Sequence, residues 1–327
     1  MVLSPAMRNE GSHAKCCCTI DVTRLFEMAG LKKRALIGYN EHTRDNDVLS
    51  FKNIRKGWVY GALLAFREYK RLFGRTKAMA VIGVGAGVDS VGAYELLEPS
   101  SLICSDIHQA ITKSAWKNLS ANLPKDAKIT MLTGDLCAPL IERGLKVDLI
   151  YGNIPNIPVS QMELGGGSSR TFFIDNVDRP KLFKKYLLAH QYSFLRSARS
   201  ALAPNGSVIA AIGGRVPYDV LIELFRANNF MPRELVSIFK YQTERDEVVS
   251  GYAKAENDGV EFDLYLYTET KKIWDKVEGA RLTGPELKEL FKKYRISAKN
   301  AIRRVRKDKS TQFGIVAHYL CGQVRTQ

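Results

Sequence analysis

Ala78-Met-Ala-Val-Ile-Gly-Val-Gly-Ala-Gly-Val-Asp-Ser-Val-Gly-Ala-Tyr-Glu-Leu-Leu97 is the stretch that decides the fold. Met79, Val81 and Ile82 form an apolar run too short for a helix, which reads as a buried strand. The chain then turns through Gly83, Gly85 and Gly87 and resumes with helical spacing at Val91, Tyr94 and Leu97. A strand, a glycine turn and a helix in that order bring bare backbone amides to a ligand, and the helix N-terminus adds its positive end.

Downstream, the alternation repeats. Strands are expected at Ser101–Ile107, Lys128–Thr133, Val147–Gly152 and Ser207–Ile212, with helices at Gln109–Asn122, Cys137–Arg143, Pro180–Leu202 and Tyr218–Asn228. Arg233–Thr243 and Glu261–Thr268 alternate like strands and read as a hairpin across a polar loop. Phe313–Leu320 reads as a strand returning to the core. Upstream, two or three helices are expected between Asp21 and Phe73, the clearest from Phe51 to Phe73 with Gly74 as its cap. Together these predict an α/β fold: a Rossmann-like, seven-strand, mostly parallel sheet with helices on both faces and its ligand at the strands' carboxyl ends. The expected division is a lead-in over 1–18, a helical segment over 19–76, the core over 77–270 and a basic C-terminal extension over 271–327.

Composition narrows the class. The chain has 327 residues, 45% of them hydrophobic, enough for one large core or two modest ones. No apolar run reaches the length of a membrane span, so no membrane partner is expected. Six cysteines, three of them adjacent at Cys16, Cys17 and Cys18, lack paired metal-ligand spacing and suit a reducing, cytoplasmic setting without a metal. The net charge of +15 is uneven: Lys271–Ser310 holds fourteen Lys and Arg against five Asp and Glu, a balance of +9. Such a run is usually a solvated face; the alternative is a surface that meets nucleic acid or an acidic protein.

The strand ends carry the candidate chemistry. Asp106, with Ile107 after it, suits a ribose diol, because one carboxylate accepts two hydroxyl hydrogen bonds. Asp135 at the third strand end can accept from an adenine amine while the Leu136 amide donates to a ring nitrogen; the plainer reading is an N-cap. NAD and S-adenosylmethionine both present a glycine-turn ligand and a ribose, so these positions leave both open. The fourth strand ends in Asn153-Ile-Pro-Asn-Ile-Pro158. Pro155 and Pro158 fix the backbone and remove donors, leaving the Asn153 side-chain oxygen and the Ile154 carbonyl to grip an amino or amide nitrogen. The long loop that follows, about 159–179, offers Gly165-Gly-Gly167 as a hinge and Arg170, Phe172, Phe173 and Asp175 as residues that close over an acceptor. His108 reads as a helix-start residue rather than a base.

On these motifs the chain resembles class I S-adenosylmethionine-dependent methyltransferases over roughly 77–268. It is most similar to the branch with an Asn-Pro-Pro-Tyr motif, which includes protein-glutamine methyltransferases. The resemblance implies that Gly83, Gly85 and Gly87 wrap the methionine moiety, Asp106 and Ile107 hold the ribose, Asp135 and Leu136 face adenine, and Asn153, Ile154 and Pro155 orient the acceptor. Three positions depart from the pattern: Gly83 stands where an acid is usual, Asp89 where the third glycine is usual, and Asn156 where an aromatic residue stacks on a planar acceptor. Loss of that stacking argues against a nucleic-acid base. The expected activity is N-methylation of a small amine or peptide-like acceptor. A protein glutamine is second and a base third; a nicotinamide oxidoreductase and a non-catalytic binding protein are the competitors from other classes.

Overall fold

The computed structural model describes residues 18–40, 43, 57–154, 179–242 and 245–324, the side chains of 245–247 apart. The lead-in through residue 17, Pro155, Asn156, Pro158 and the loop with Gly165, Arg170, Phe172, Phe173 and Asp175 lie outside the described residues.

Two short strands, β1 (Cys18–Asp21) and β2 (Leu36–Tyr39), pair antiparallel around α1 (Thr23–Met28). Next comes α2 (Trp58–Phe73), closed by Gly74 in the left-handed region at φ 82°, as its composition predicts. The alternating core follows as β3 (Ala78–Ile82), α3 (Val88–Leu97), β4 (Ser101–Asp106), α4 (Gln109–Asn122), β5 (Ile129–Thr133), α5 (Ala138–Glu142) and β6 (Val147–Gly152). Then come α6 (Lys181–Lys185), α7 (Ala189–Ala201), β7 (Leu202–Gly213), α8 (Tyr218–Arg226) and β8 (Phe230–Tyr241). The chain ends through α9 (Arg245–Ala255), β9 (Leu264–Leu266), α10 (Tyr267–Val277), α11 (Gly284–Phe291), β10 (Arg295–Ile296), α12 (Ala298–Lys307) and β11 (Phe313–Val324).

The main sheet runs β5-β4-β3-β6-β7-β11-β8, with the short β9 and β10 continuing from β11. Strands β3 to β7 are mutually parallel, and β11 lies antiparallel between β7 and β8. Each central strand is buried on both sides. In β3, Met79 and Val81 join one core and Ala80 and Ile82 the other, which is why the strand reads as a continuous apolar run. Helices α2, α3, α4, α10 and α11 pack on the first face, and α5, α6, α7, α8, α9 and α12 on the second. This is the Rossmann-like α/β arrangement expected from the sequence, with seven long strands and two short additions.

Four local expectations are corrected. The region before α2 contains the β1–β2 pair as well as α1; Asn118 and Asn122 of α4 hold β2 by hydrogen bonds with Gly38 and Leu36, partners some 80 residues away that no local pattern reveals. The single helix expected over Pro180–Leu202 is broken between α6 and α7. Leu187 takes φ 58° and the Leu188 N–H reaches the Phe183 carbonyl, a helix stop that normally advertises itself with glycine. The strand expected from Ser207 begins at Leu202, with Asn205 at φ 62° inside the span of β7. Finally, β8 does not form a hairpin with β9: α9 lies between them, and β8 pairs with β11 along Gly314–Val324. The last segment, expected as part of an extension, thus supplies a strand inside the sheet.

Candidate functional site

The sheet changes direction of winding between β3 and β6. From β3 the chain adds β4 and β5 on one side and β6 and β7 on the other. That point opens a crevice beyond the carboxyl ends of the two strands, where α/β sheets bind ligands. Gly83 follows β3 there and Asn153 follows β6, and a Cβ added to Gly83 would lie 3.5 Å from Ile154 Cδ1. The glycine turn and the Asn153 segment, 70 residues apart, are therefore neighbours.

The turn itself is built from left-handed glycines. Gly83, Gly85 and Gly87 have φ of 71°, 52° and 86°, conformations that side chains rarely adopt. The Gly83 and Val84 amides donate to the Ser105 carbonyl, tying the turn to β4. A Cβ on Gly85 would meet nothing within 4 Å, so that side of the turn is open. Asn118 of α4 donates to the Ala86 carbonyl at 2.9 Å, fixing the turn from behind.

Asp106 closes β4 against this turn and is buried. One carboxylate oxygen accepts from the Gly85 N–H at 3.3 Å and the other from the His108 N–H at 3.2 Å. Each oxygen so keeps lone-pair capacity for a hydroxyl. Burial raises its pKa, offset in part by the amides of His108, Gly85 and Ile107. His108 is the N-cap residue of α4, as expected, and its backbone starts the helix.

Asp135 and Leu136 follow β5. The N-cap of α5 is Cys137 and lacks a side-chain cap, so Asp135 does not cap that helix; its exposed carboxylate has no hydrogen bond among the described residues. Leu136 sits at φ 45°, a left-handed conformation unusual for a branched residue and of the kind found where backbone is held for a ligand.

Asn153 is half-buried, and its side chain makes no hydrogen bond among the described residues. Ile154 differs from expectation. Its carbonyl is not left open by the prolines alone: the buried Gln191 of α7 donates Nε2 to it. A carbonyl has two lone pairs, so one remains for a ligand, now in a fixed direction. One further contact was not foreseen. The Tyr151 hydroxyl, two residues before Asn153, donates to Asp89 Oδ2 at 2.7 Å. Burial pushes the Asp89 carboxyl up to about 6, against the opposing pull of that hydrogen bond. Asp89 was legible as a departure from the glycine pattern, but its partner lies 62 residues on, beyond any local signal.

Among the described residues no group of three or more His, Cys, Asp or Glu is placed to hold a metal, and no helix is long and apolar enough to cross a membrane. Cys18, Cys104, Cys137 and Cys321 carry free thiols.

No family model matches the chain. The release factor glutamine methyltransferase of Bacillus subtilis (strain 168) is 32% identical over 96 residues, which cover 29% of this chain and 33% of that protein. The chain thus matches about a third of the length of this curated relative. Among solved structures, the precorrin-6y C5,15-methyltransferase of Geobacter metallireducens is similar over 81% of this chain and 87% of its own, at 8% identity and TM-score 0.40. The 16S rRNA N2 G1207 methyltransferase of T. thermophilus, in complex with AdoMet and guanosine, is similar over 67% of this chain and 47% of its own, at 14% identity and TM-score 0.40. Likenesses this loose say nothing about activity.

Proposed function

We propose that the chain is a methyltransferase that uses S-adenosylmethionine to methylate the nitrogen of a small amine or peptide-like acceptor. The observation that carries this reading is the convergence, at the β3–β6 switch point, of an open glycine turn, a buried carboxylate with spare acceptor capacity and a side-chain amide without a hydrogen bond among the described residues. The residues present fit the cofactor. Asp106 accepts the Gly85 N–H on one oxygen and the His108 N–H on the other, which leaves acceptor capacity for the ribose hydroxyls. Asp135 and the strained Leu136 backbone stand at the neighbouring strand end, where adenine would lie.

When bound, S-adenosylmethionine supplies a cationic methyl donor that an aligned nitrogen lone pair attacks in line. This chain's part is alignment and exclusion of water. Asn153 Oδ1 and the remaining lone pair of the Ile154 carbonyl hold two acceptor hydrogens, so the nitrogen lone pair is left to face the crevice. Gln191 keeps that carbonyl from rotating away. Neither group is charged, so neither competes with the donor's cation.

A protein glutamine is the second reading, favoured by the relative that is 32% identical over 96 residues. Supplying labelled S-adenosylmethionine with amines, glutamine-containing peptides and RNA separates these acceptors. Label on an amine or peptide nitrogen supports the proposal; label only on RNA bases would contradict it.

A further inference from the structure

The family-like pattern has an acid at the position of Gly83, and this chain has none there. It has instead Asp89, in the first turn of α3. The Tyr151 hydroxyl donates to Asp89 Oδ2, and the Tyr151 ring is held edge-on by Phe66 at 4.8 Å between centroids. Asp89 therefore cannot swing freely. Its Oδ1 has no protein partner among the described residues, and the residue as a whole is only partly buried. No lysine, arginine or histidine pairs with it among the described residues. Position matters as much as valence. Tyr151 pairs with Val81 across β3 and β6, one pair before the last, so its hydroxyl ties the carboxylate to the end of these strands from which the glycine turn and Asn153 continue. A partly buried carboxylate held by a phenol, without a counter-ion among the described residues, is stabilised by a cation.

We propose that Asp89 binds the α-ammonium of the cofactor's amino-acid end, taking over from the acid that Gly83 lacks. This rests on the S-adenosylmethionine reading above. The amino-acid end is a zwitterion and needs two complementary groups close together. The turn amides at the N-terminus of α3 suit its carboxylate, and Asp89, in the first turn of the same helix, suits its ammonium. A cation there also relieves the desolvated carboxylate, whose surroundings otherwise push it towards its neutral form.

Calorimetry on the full chain with two probes tests this. S-adenosylhomocysteine carries the amino-acid end; 5′-methylthioadenosine keeps adenine, ribose and sulfur but lacks it. Asp89→Asn, nearly isosteric, is expected to weaken S-adenosylhomocysteine by about 10–100-fold, the size of one hydrogen bond to a charged group, and to leave 5′-methylthioadenosine within about twofold. In the parent, S-adenosylhomocysteine affinity is expected to fall as pH drops through about 6, where Asp89 takes up a proton, and Asp89→Asn should lose that slope. Asp106, also raised by burial, closes the neighbouring strand end, and the phenol of Tyr151 bonds Asp89 itself; titration of Asp106 affects both probes alike, which the second probe reveals. An unchanged affinity for S-adenosylhomocysteine in Asp89→Asn overturns the inference, and so does an equal loss for both probes. If the parent binds neither probe, the cofactor reading itself falls, which is a different result from the other two.

Discussion

The strand ends of β3 to β6 and the polar groups around β8, β9 and β11 are both rich in charge, but they differ in what that charge meets. In the second region the charged groups meet protein partners, although Glu234 Oε2 and His318 Nε2 are buried without a hydrogen bond among the described residues. Glu256 accepts from the amides of Phe262, Ala298 and Lys299 at 2.8–3.0 Å, pinning the start of α12 to the core. His318 Nδ1 lies 2.8 Å from Ser237 Oγ, which donates to Glu234. Lys288 pairs with Asp263 at 3.0 Å. At the strand ends, by contrast, Asn153, Asp135 and one oxygen of Asp89 have no hydrogen-bond partner among the described residues, and Asp106 is hydrogen-bonded there only to backbone amides. Buried charge alone therefore does not mark a site. Unspent hydrogen-bonding capacity at a switch point does.

The sharpest way to break this comparison is Asn153→Ala. A lost contact to the acceptor, about 2–4 kcal/mol, slows turnover about 30–1000-fold while affinity for S-adenosylhomocysteine stays nearly intact. Asn153→Asp, which still accepts hydrogen bonds, should retain more activity on an amine than the alanine variant. Steady-state rates beside calorimetry decide; parental turnover in both variants would remove the motif from the reaction. The counterpart on the other side is Glu256→Ala. It strands three amides and should destabilise the fold by about 3 kcal/mol in urea titration, with ligand affinity of the folded protein unchanged. A change in affinity at full folding would erase the contrast between the regions.

A smaller effect is expected from His318. Burial holds its pKa below the ordinary histidine value. Above about pH 6.5 both folded and unfolded chains carry it neutral; as pH falls through that value the unfolded chain takes up the proton first, so stability is lost on acidification. His318→Gln should remove that part of the pH slope, as urea midpoints between neutral and mildly acid pH would show. The smallest effect belongs to the basic face. Arg303, Arg304 and Arg306 are exposed on α12 and pair with no carboxylate among the described residues, while Ala298 and Ala301 bury the opposite face. Replacing the three with glutamine should change stability by less than about 0.5 kcal/mol and leave the salt response of turnover as it was. A flattened salt response would make this helix part of substrate capture.

What the sequence reveals follows the range of the forces involved. The β3 run, the glycine turn, Asp106 and the four parallel strand–helix units are local patterns, and each is found where its periodicity places it. The misses are all non-local or lack their usual marker. Leu187 stops a helix without a glycine. The β8–β11 pairing spans more than seventy residues, so alternation identifies β8 as a strand without naming its neighbour. Tyr151 meets Asp89, and Gln191 meets Ile154, only after the sheet has assembled. Pro155, Asn156, Arg170, Phe172 and Phe173, which the sequence nominates for the acceptor side, lie outside the described residues and stand as proposals.

The central claim is that the β3–β4 strand ends hold the ribose of S-adenosylmethionine, and titration calorimetry of the parent and Asp106→Ala with S-adenosylhomocysteine, beside NADPH, tests it most directly. The parent is expected to bind S-adenosylhomocysteine at one site per chain and NADPH not at all. Asp106→Ala, having lost both diol contacts, should bind about 30-fold or more weakly. Preference of the parent for NADPH, or equal S-adenosylhomocysteine affinity in the two proteins, would contradict the account.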